Sequence, residues 1–363
     1  MIASLVGALL WTAPLVQGAG VQGGERPLDT VVMKDGSELE GYVLREDPEG
    51  LLLRIGTRER TVPLAEVGEV RSSARSLELV LEQYARTDAA SARQMLDLAS
   101  FARSRRLEGL AEIFALRALE SEPDSTGAHE FLGHKLRGKR WFARDGSRSI
   151  PFEELRGLRA EWGSAWEVET PHYALRSNLP LSQVLDVAMD LELFYQAFYG
   201  RFAQELALRE IVRLLPVQVH ADGRSFPDLS GNRASYFDPL SMAILVIAER
   251  GYPRESMIHE ATHQLLYATA ISPEHSARAK GCLPGWLDEG LATWFESIAT
   301  GPQGRVVFED RRQSAYYQSV HRNADPPYDL SRVLTFGSED FYASMRVDLK
   351  YAQQLFGKPN QSS

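Results

Sequence analysis

The chain has 363 residues, of which 49 are Asp or Glu and 40 are Lys or Arg, so its net charge is -9. This length predicts two or three domains. The acidic balance, without a basic stripe of interleaved aromatic residues, argues against a nucleic-acid-binding protein. Cys282 is the single cysteine, which excludes an internal disulfide.

Residues 1–20 form an apolar run that ends in small residues. The run is too short for a comfortable membrane span and is typical of a secretory signal peptide. No Lys or Arg precedes Arg26, so either the true start lies further upstream or the signal is weak. We expect an exported protein, periplasmic or extracellular, with no stable membrane span after removal of the signal.

Short β-strands dominate the next segment, residues 25–73. A hairpin across Asp35-Gly36 joins the first two strands, and the five predicted strands cover residues 30–33, 38–44, 51–55, 60–62 and 67–71. Five short strands in so few residues predict a small SH3-like or Sm-like β-barrel. The segment offers no catalytic residue, so we interpret it as a spacer or docking module.

Residues 75–137 are rich in Leu, Ala, Glu and Arg, a composition typical of helices. Predicted helices over 92–106 and 108–120, followed by a helix that contains Leu132-Gly133, resemble tetratricopeptide-type repeats. The segment is too short for a free solenoid, so we expect it to pack on its neighbours and to offer a candidate surface for a protein partner. Residues 138–165 are predicted to be a linker.

The last segment, residues 166–363, alternates predicted strands and helices. A strand over 172–176 precedes a long amphipathic helix that starts after residues 178–180. Further strands are predicted over 216–220, 234–237 and 242–247, the last two joined through Asp238-Pro239. The chain as a whole is therefore predicted to be of the α+β class. If the strand at 234–237 lies at a sheet edge, it offers a pairing site for an extended peptide.

The most informative motif is His-Glu-Ala-Thr-His at residues 259–263. On a helix, His259 and His263 lie one turn apart on the same face and can bind a single ion. Glu260 lies close enough to reach a water at that ion. Two imidazoles suit Zn²⁺, and a catalytic zinc site requires one more protein ligand. The alternative is a pair of ordinary surface or core histidines.

A second predicted helix, which starts after Pro284-Gly285, supplies the candidate third ligand. Glu289 lies 26 residues after His263 (289 minus 263), which leaves room for a loop between two crossing helices. Its alternative role is that of a carboxylate favoured at a helix N-terminus. Glu296 is either an acceptor for a ligand imidazole N–H or an exposed helix residue.

Together, these motifs resemble a known family. His259-Glu260-x-x-His263 followed by Trp286-Leu-Asp-Glu289-Gly-x-Ala292 is similar to the gluzincin metallopeptidases, the clan of thermolysin and the aminopeptidase N group. It most resembles the exported bacterial members of unassigned substrate. The resemblance implies a zincin-like fold, a zinc ion bound by His259, His263 and Glu289, and Glu260 as general base. It also implies a downstream Tyr that stabilises the oxyanion, for which Tyr351 is the best match.

One departure from the family bears on the substrate. The chain lacks the Gly-x-Met-Glu-Asn strand with which aminopeptidases bind a free amine. We therefore expect an endopeptidase that hydrolyses peptides or proteins with a zinc-activated water and Glu260 as the base. Two alternatives are an enzyme with a non-peptide or restricted substrate and a catalytically weak or inactive zincin-fold binding module. The intact Glu260 argues against the binding module, because a structural zinc ion needs no base.

Overall fold

The computed structural model describes residues 24–226, 235–270, 285–300 and 306–308, which form a mixed α+β structure with several sheets. Within these ranges, no helix combines the length and the apolar character that crossing a membrane requires. The predicted signal peptide at residues 1–20 lies outside the described residues, as do Cys282 and Tyr351.

The first sheet contains the strands predicted between residues 30 and 71. Its order is β4-β3-β2-β1-β5, with every neighbouring pair antiparallel. Inward-facing apolar side chains, among them Val31, Leu51 and Leu53, are fully buried between the strands. The strands are β1 (Asp29–Met33), β2 (Glu38–Asp47), β3 (Gly50–Ile55), β4 (Arg58–Val62) and β5 (Val67–Arg71).

Four helices follow: α1 (Ser73–Tyr84), α2 (Ala92–Ser104), α3 (Glu108–Ser121) and α4 (Thr126–Phe131). Ser72 and Ser91 cap the first two by accepting backbone N–H groups. The helices do not form an independent layer, because their apolar residues belong to the same core as the second sheet. The start of α3 approaches the strand at Glu169 so closely that a Cβ at Gly109 would overlap the Glu169 carbonyl oxygen.

Residues 138–165 do not form the predicted linker. They complete a three-stranded antiparallel sheet, β6 (Lys135–Arg137), β7 (Arg140–Asp145) and β8 (Arg148–Pro151), followed by helix α5 (Phe152–Leu158). Gly138 and Gly146 make the two hairpin turns with φ angles of 63° and 58°. The strands are short and mostly exposed, so they lack the apolar alternation that would have identified them from the sequence.

The second sheet has the order β12-β13-β11-β10-β9. Its three central strands are parallel, and the strand at each edge is antiparallel to its neighbour. Among the described strands, β12 is therefore an edge strand, which is the position from which a strand can pair with an extended peptide. The strands are β9 (Trp166–Glu169), β10 (Tyr173–Ser177), β11 (Leu215–His220), β12 (Ser235–Asp238) and β13 (Ala243–Ile247).

Backbone hydrogen bonds join the first sheet to the second through the segment that precedes β11. Glu210 N–H donates to Leu44 O at 2.7 Å, Arg26 N–H donates to Val212 O at 2.9 Å, and Leu214 N–H donates to Gly24 O at 2.8 Å. The Arg26 side chain is buried and forms an ion pair with Asp29. These contacts join the first sheet to the segment that leads into β11.

Three helices complete the site-bearing layer: α6 (Leu181–Phe202), α7 (Arg254–Ala270) and α8 (Gly285–Phe295). A short hairpin of β14 (Ile298–Thr300) and β15 (Val306–Phe308) follows α8. Phe295 of α8 packs edge-on against Phe194 of α6, with ring centroids 5.3 Å apart. This aromatic contact packs α8 against α6 in the core.

Candidate metal centre

The first half of the candidate centre is the face of α7 that points away from the core. Its opposite face, which carries Met257, Ile258, Ala261 and Leu265, is fully buried in the core. Burial of that face directs His259 and His263 away from the core, with ring centroids 4.9 Å apart. The spacing predicted from the sequence therefore produces two adjacent imidazoles.

A buried side chain fixes α7 against the second sheet. Gln264 is fully buried, and its Nε2 donates to Pro216 O at 3.0 Å and to Met242 O at 2.7 Å. These carbonyl groups belong to β11 and to the residue that precedes β13. Helix α7 thus has a defined rotation and height relative to the sheet, because one amide donates both to β11 and to the residue before β13.

The second half of the centre comes from α8. The Glu289 Oε2 atom lies 3.3 Å from His259 Nε2 and 3.8 Å from His263 Nε2. One ligand atom from each of the three residues lies within 4.8 Å of the others. Ligand atoms about 2.0–2.2 Å from a tetrahedral zinc ion are separated by roughly 3.3–3.6 Å. The donor types therefore suit a zinc ion bound by two imidazoles and one carboxylate, and the two Glu289 distances of 3.3 and 3.8 Å lie close to this separation.

The outer nitrogen of each imidazole contacts a carboxylate. His259 Nδ1 lies 2.7 Å from Glu296 Oε1, and His263 Nδ1 lies 2.9 Å from Asp288 Oδ1. A carboxylate at Nδ1 favours the tautomer that carries hydrogen there, so in the neutral ring the Nε2 lone pair is left for an ion held together with Glu289. This arrangement orients both rings before any ion binds.

These contacts settle the role of Glu296, which is a partner of His259 rather than a simple exposed residue. A role for Asp288 was not predicted. The one indication in the sequence is that Asp288 adjoins Glu289 on the same helix. Adjacent helical residues point about 100° apart, so two consecutive carboxylates reach different atoms of the centre.

Glu260 lies beside the candidate centre and contacts the edge strand. Its Oε2 accepts a hydrogen bond of 2.9 Å from the backbone N–H of Phe237 in β12. Burial raises the pKa of the Glu260 carboxyl, while His263 and His259 oppose that rise. A buried carboxylate with a raised pKa, held at one oxygen and adjacent to two imidazoles, has the properties of a general base.

The three candidate ligands shift one another's pKa values when no ion is bound. Burial disfavours the His259 cation, but hydrogen bonds to Glu289 and Glu296 outweigh it and raise the His259 pKa to about 10. The His263 pKa is also raised, because its pairing with Asp288 outweighs burial. The His259 hydrogen bond lowers the pKa of Glu289. A positive charge is therefore stabilised where the ion would bind.

The structure brings together His259, His263 and Glu289 and places Glu260 next to them. It gives no position for Tyr351, which lies outside the described residues. The other tyrosines downstream of Glu289 also lie outside the part of the chain that the structure describes: Tyr316, Tyr317, Tyr328 and Tyr342.

Comparison with known proteins gives one similarity. Residues 255–354 match a family described as "Protein of unknown function (DUF1570)". The matched segment contains every residue of the candidate centre, from His259 to Glu296. No curated protein matches the chain, and no solved structure matches it.

Proposed function

We propose that this protein is a zinc-dependent peptidase that hydrolyses internal peptide bonds of peptides or proteins. The observation that carries the proposal is the convergence of His259, His263 and Glu289 from two helices, with their ligand atoms within 4.8 Å. The carboxylates at both outer imidazole nitrogens add support, because such partners are typical of functional zinc sites. Glu260 supports hydrolysis rather than a purely structural role for the ion.

In this proposal His259, His263 and Glu289 hold Zn²⁺, which lowers the pKa of a water and polarises a carbonyl group. Glu260 acts as the base: its Oε2 is held by the Phe237 N–H, and its Oε1 accepts a proton from water. The same carboxyl then donates that proton to the leaving nitrogen. Burial supports both transfers, because it raises the Glu260 pKa towards the range in which the group can accept and release a proton.

The edge strand β12 is the proposed binding element for the substrate backbone. The Phe237 N–H points to Glu260 and not to the neighbouring strand β13. Residues of an antiparallel strand alternate in direction, so Ser235 also directs its backbone groups away from β13. An extended peptide that pairs with this edge lies next to Glu260.

The same proposal extends to the family and the domain layout. We interpret β9–β13 with α6, α7 and α8 as a zincin-like domain of gluzincin type, β1–β5 as an SH3-like barrel, and α2–α4 as a TPR-like segment. Export to the periplasm or the extracellular space follows from the apolar residues 1–20. Tyr351 is the proposed donor to the oxyanion, on the strength of the family resemblance.

The decisive experiment compares the wild-type protein with Glu260→Gln for bound zinc and for cleavage of casein. Both proteins should bind one zinc ion, and Glu260→Gln should cleave about 10²–10⁴-fold more slowly because the base is lost. Glu154→Gln, an exposed substitution on α5, is the matched control and should behave as wild type. Equal cleavage by wild type and Glu260→Gln would exclude Glu260 as base. Zinc without cleavage of any substrate tested would favour the binding module.

A further inference from the structure

An aromatic side chain lies next to the candidate centre on helix α7. Tyr267 follows His263 by four residues (267 minus 263) and His259 by eight (267 minus 259). All three side chains therefore leave the same face of α7. Four helical residues rise about 6 Å, so Tyr267 lies one turn beyond the second histidine.

A second aromatic ring comes from the edge strand. The Phe237 ring lies 5.6 Å from the Tyr267 ring between centroids, with an interplanar angle of 60°. The backbone N–H of the same Phe237 donates to Glu260. Phe237 thus contacts both the proposed base and Tyr267. The aromatic pair therefore lies between β12 and α7, beside Glu260.

This apolar surface faces away from the core. Tyr267 is 38% exposed, and Phe237 is only partly buried. A partly exposed aromatic pair beside a polar site is typical of a surface that binds an apolar ligand group.

The backbone of β12 identifies the occupant. The Phe237 N–H is taken by Glu260, which leaves the Phe237 carbonyl and the backbone groups of Ser235 for a peptide. An extended peptide that pairs with them directs alternate side chains to the face of the sheet that carries α7. One of these side chains contacts the Phe237–Tyr267 pair. We infer that this pair is a specificity subsite for an aromatic or large aliphatic residue within two positions of the scissile bond. The inference rests on the proposed peptidase function.

The test uses decapeptides in which one Phe is moved through each position of a Gly-Ser-Ala background. Cleavage is measured as kcat/KM with zinc-loaded full-length protein, and binding is measured separately by fluorescence anisotropy of labelled peptides. Phe at one position near the scissile bond should increase kcat/KM about tenfold or more over Ser. Tyr267→Ala should remove most of this preference in both assays. Tyr267→Phe, which retains the ring, and Leu206→Ala, a 60% exposed residue after α6, should preserve it.

The two assays separate the subsite from the proposed catalysis. A Phe preference in binding that Tyr267→Ala removes, without cleavage of any peptide, would keep the subsite and reject the peptidase. Cleavage at similar rates whatever the position of Phe, or a preference that survives Tyr267→Ala, would overturn the subsite and leave the peptidase intact. Neither binding nor cleavage of any peptide would reject both.

Discussion

At the scale of single residues, the carboxylates behind the histidines favour the proposed metal centre over two histidines that happen to be adjacent. The motif spacing was sufficient to predict His259, His263 and Glu289. It could not predict the contact between Asp288 and His263, because that depends on the rotation of α8 relative to α7. The rotation is set by core contacts such as Phe295 against Phe194, which no local pattern encodes.

Removing these outer carboxylates should weaken zinc binding without unfolding the protein. Asp288→Asn and Glu296→Gln should each lower zinc affinity about 10–100-fold, because each imidazole loses the partner that orients it. Glu289→Gln, which replaces a ligand, should have a larger effect. Competition with a chromophoric chelator measures all three, with Glu154→Gln as the control. Unchanged affinity in Asp288→Asn and Glu296→Gln would show that neither contact supports the ion.

Zinc uptake should release protons. The pKa of His259 is raised to about 10 and that of His263 is also raised, so the His259 ring holds a proton at pH 7 without metal. Zinc requires neutral imidazoles, and its apparent affinity should therefore fall as the pH falls. Calorimetric titrations in two buffers with different ionisation enthalpies should show about one proton or more released per zinc ion at pH 7. Zinc binding without proton release would contradict the protonated resting state.

At the scale of elements, the sequence predicted the long periodic helices, the strands of the first sheet and four strands of the second sheet, but not β9 at its edge. The sheet of β6–β8 was not predicted, because its strands are short and exposed and depend on two glycine turns rather than on apolar alternation. Local sequence patterns also could not predict the order of the strands in the second sheet. The strand β12 lies at the edge because it pairs with β13, and this position brings Phe237 to Glu260.

The element-scale prediction concerns the attachment of α7. Gln264→Leu retains most of the side-chain volume but removes both hydrogen bonds to Pro216 O and Met242 O. Buried hydrogen bonds of this kind contribute about 1 kcal/mol each, and unpaired carbonyl groups add to the loss. The free energy of unfolding in urea should fall by about 1–3 kcal/mol, whereas the exposed substitution Leu206→Ala should change it by less than about 0.5 kcal/mol. Equal stability of Gln264→Leu and wild type would show that the amide does not anchor the helix.

At the scale of the whole molecule, buried histidines far from the candidate centre make stability depend on pH. Burial, reinforced by Arg176, lowers the pKa of His220 to about 4, and burial beside His129 lowers that of His134 to about 4. Below about pH 6.5, each of these two histidines binds a proton in the unfolded chain but stays neutral in the folded protein. Their contribution to the free energy of unfolding is therefore complete above pH 6.5 and is lost as the pH falls towards 4.

In metal-free protein, unfolding free energies at pH 6 and pH 5 should show this loss, at most about 1.4 kcal/mol per pH unit for each histidine. The raised pKa of His259 changes stability mainly above pH 6.5, where the unfolded chain has released the proton that the folded ring keeps, so the comparison is made below that pH. His220→Phe retains the stacking on Trp162, where the rings are 3.7 Å apart, but cannot bind a proton. Its stability should depend less on pH than that of wild type. The same slope in both proteins would contradict a buried neutral His220.

The most direct test of the proposed metal centre is diffraction from crystals of the zinc-loaded protein at the zinc absorption edge. We expect one anomalous peak about 2.0–2.2 Å from His259 Nε2, His263 Nε2 and a Glu289 carboxylate oxygen, with Asp288 and Glu296 on the outer nitrogens. Absence of a peak there, or a zinc ion bound by other residues, would contradict the metal centre and the hydrolysis that depends on it.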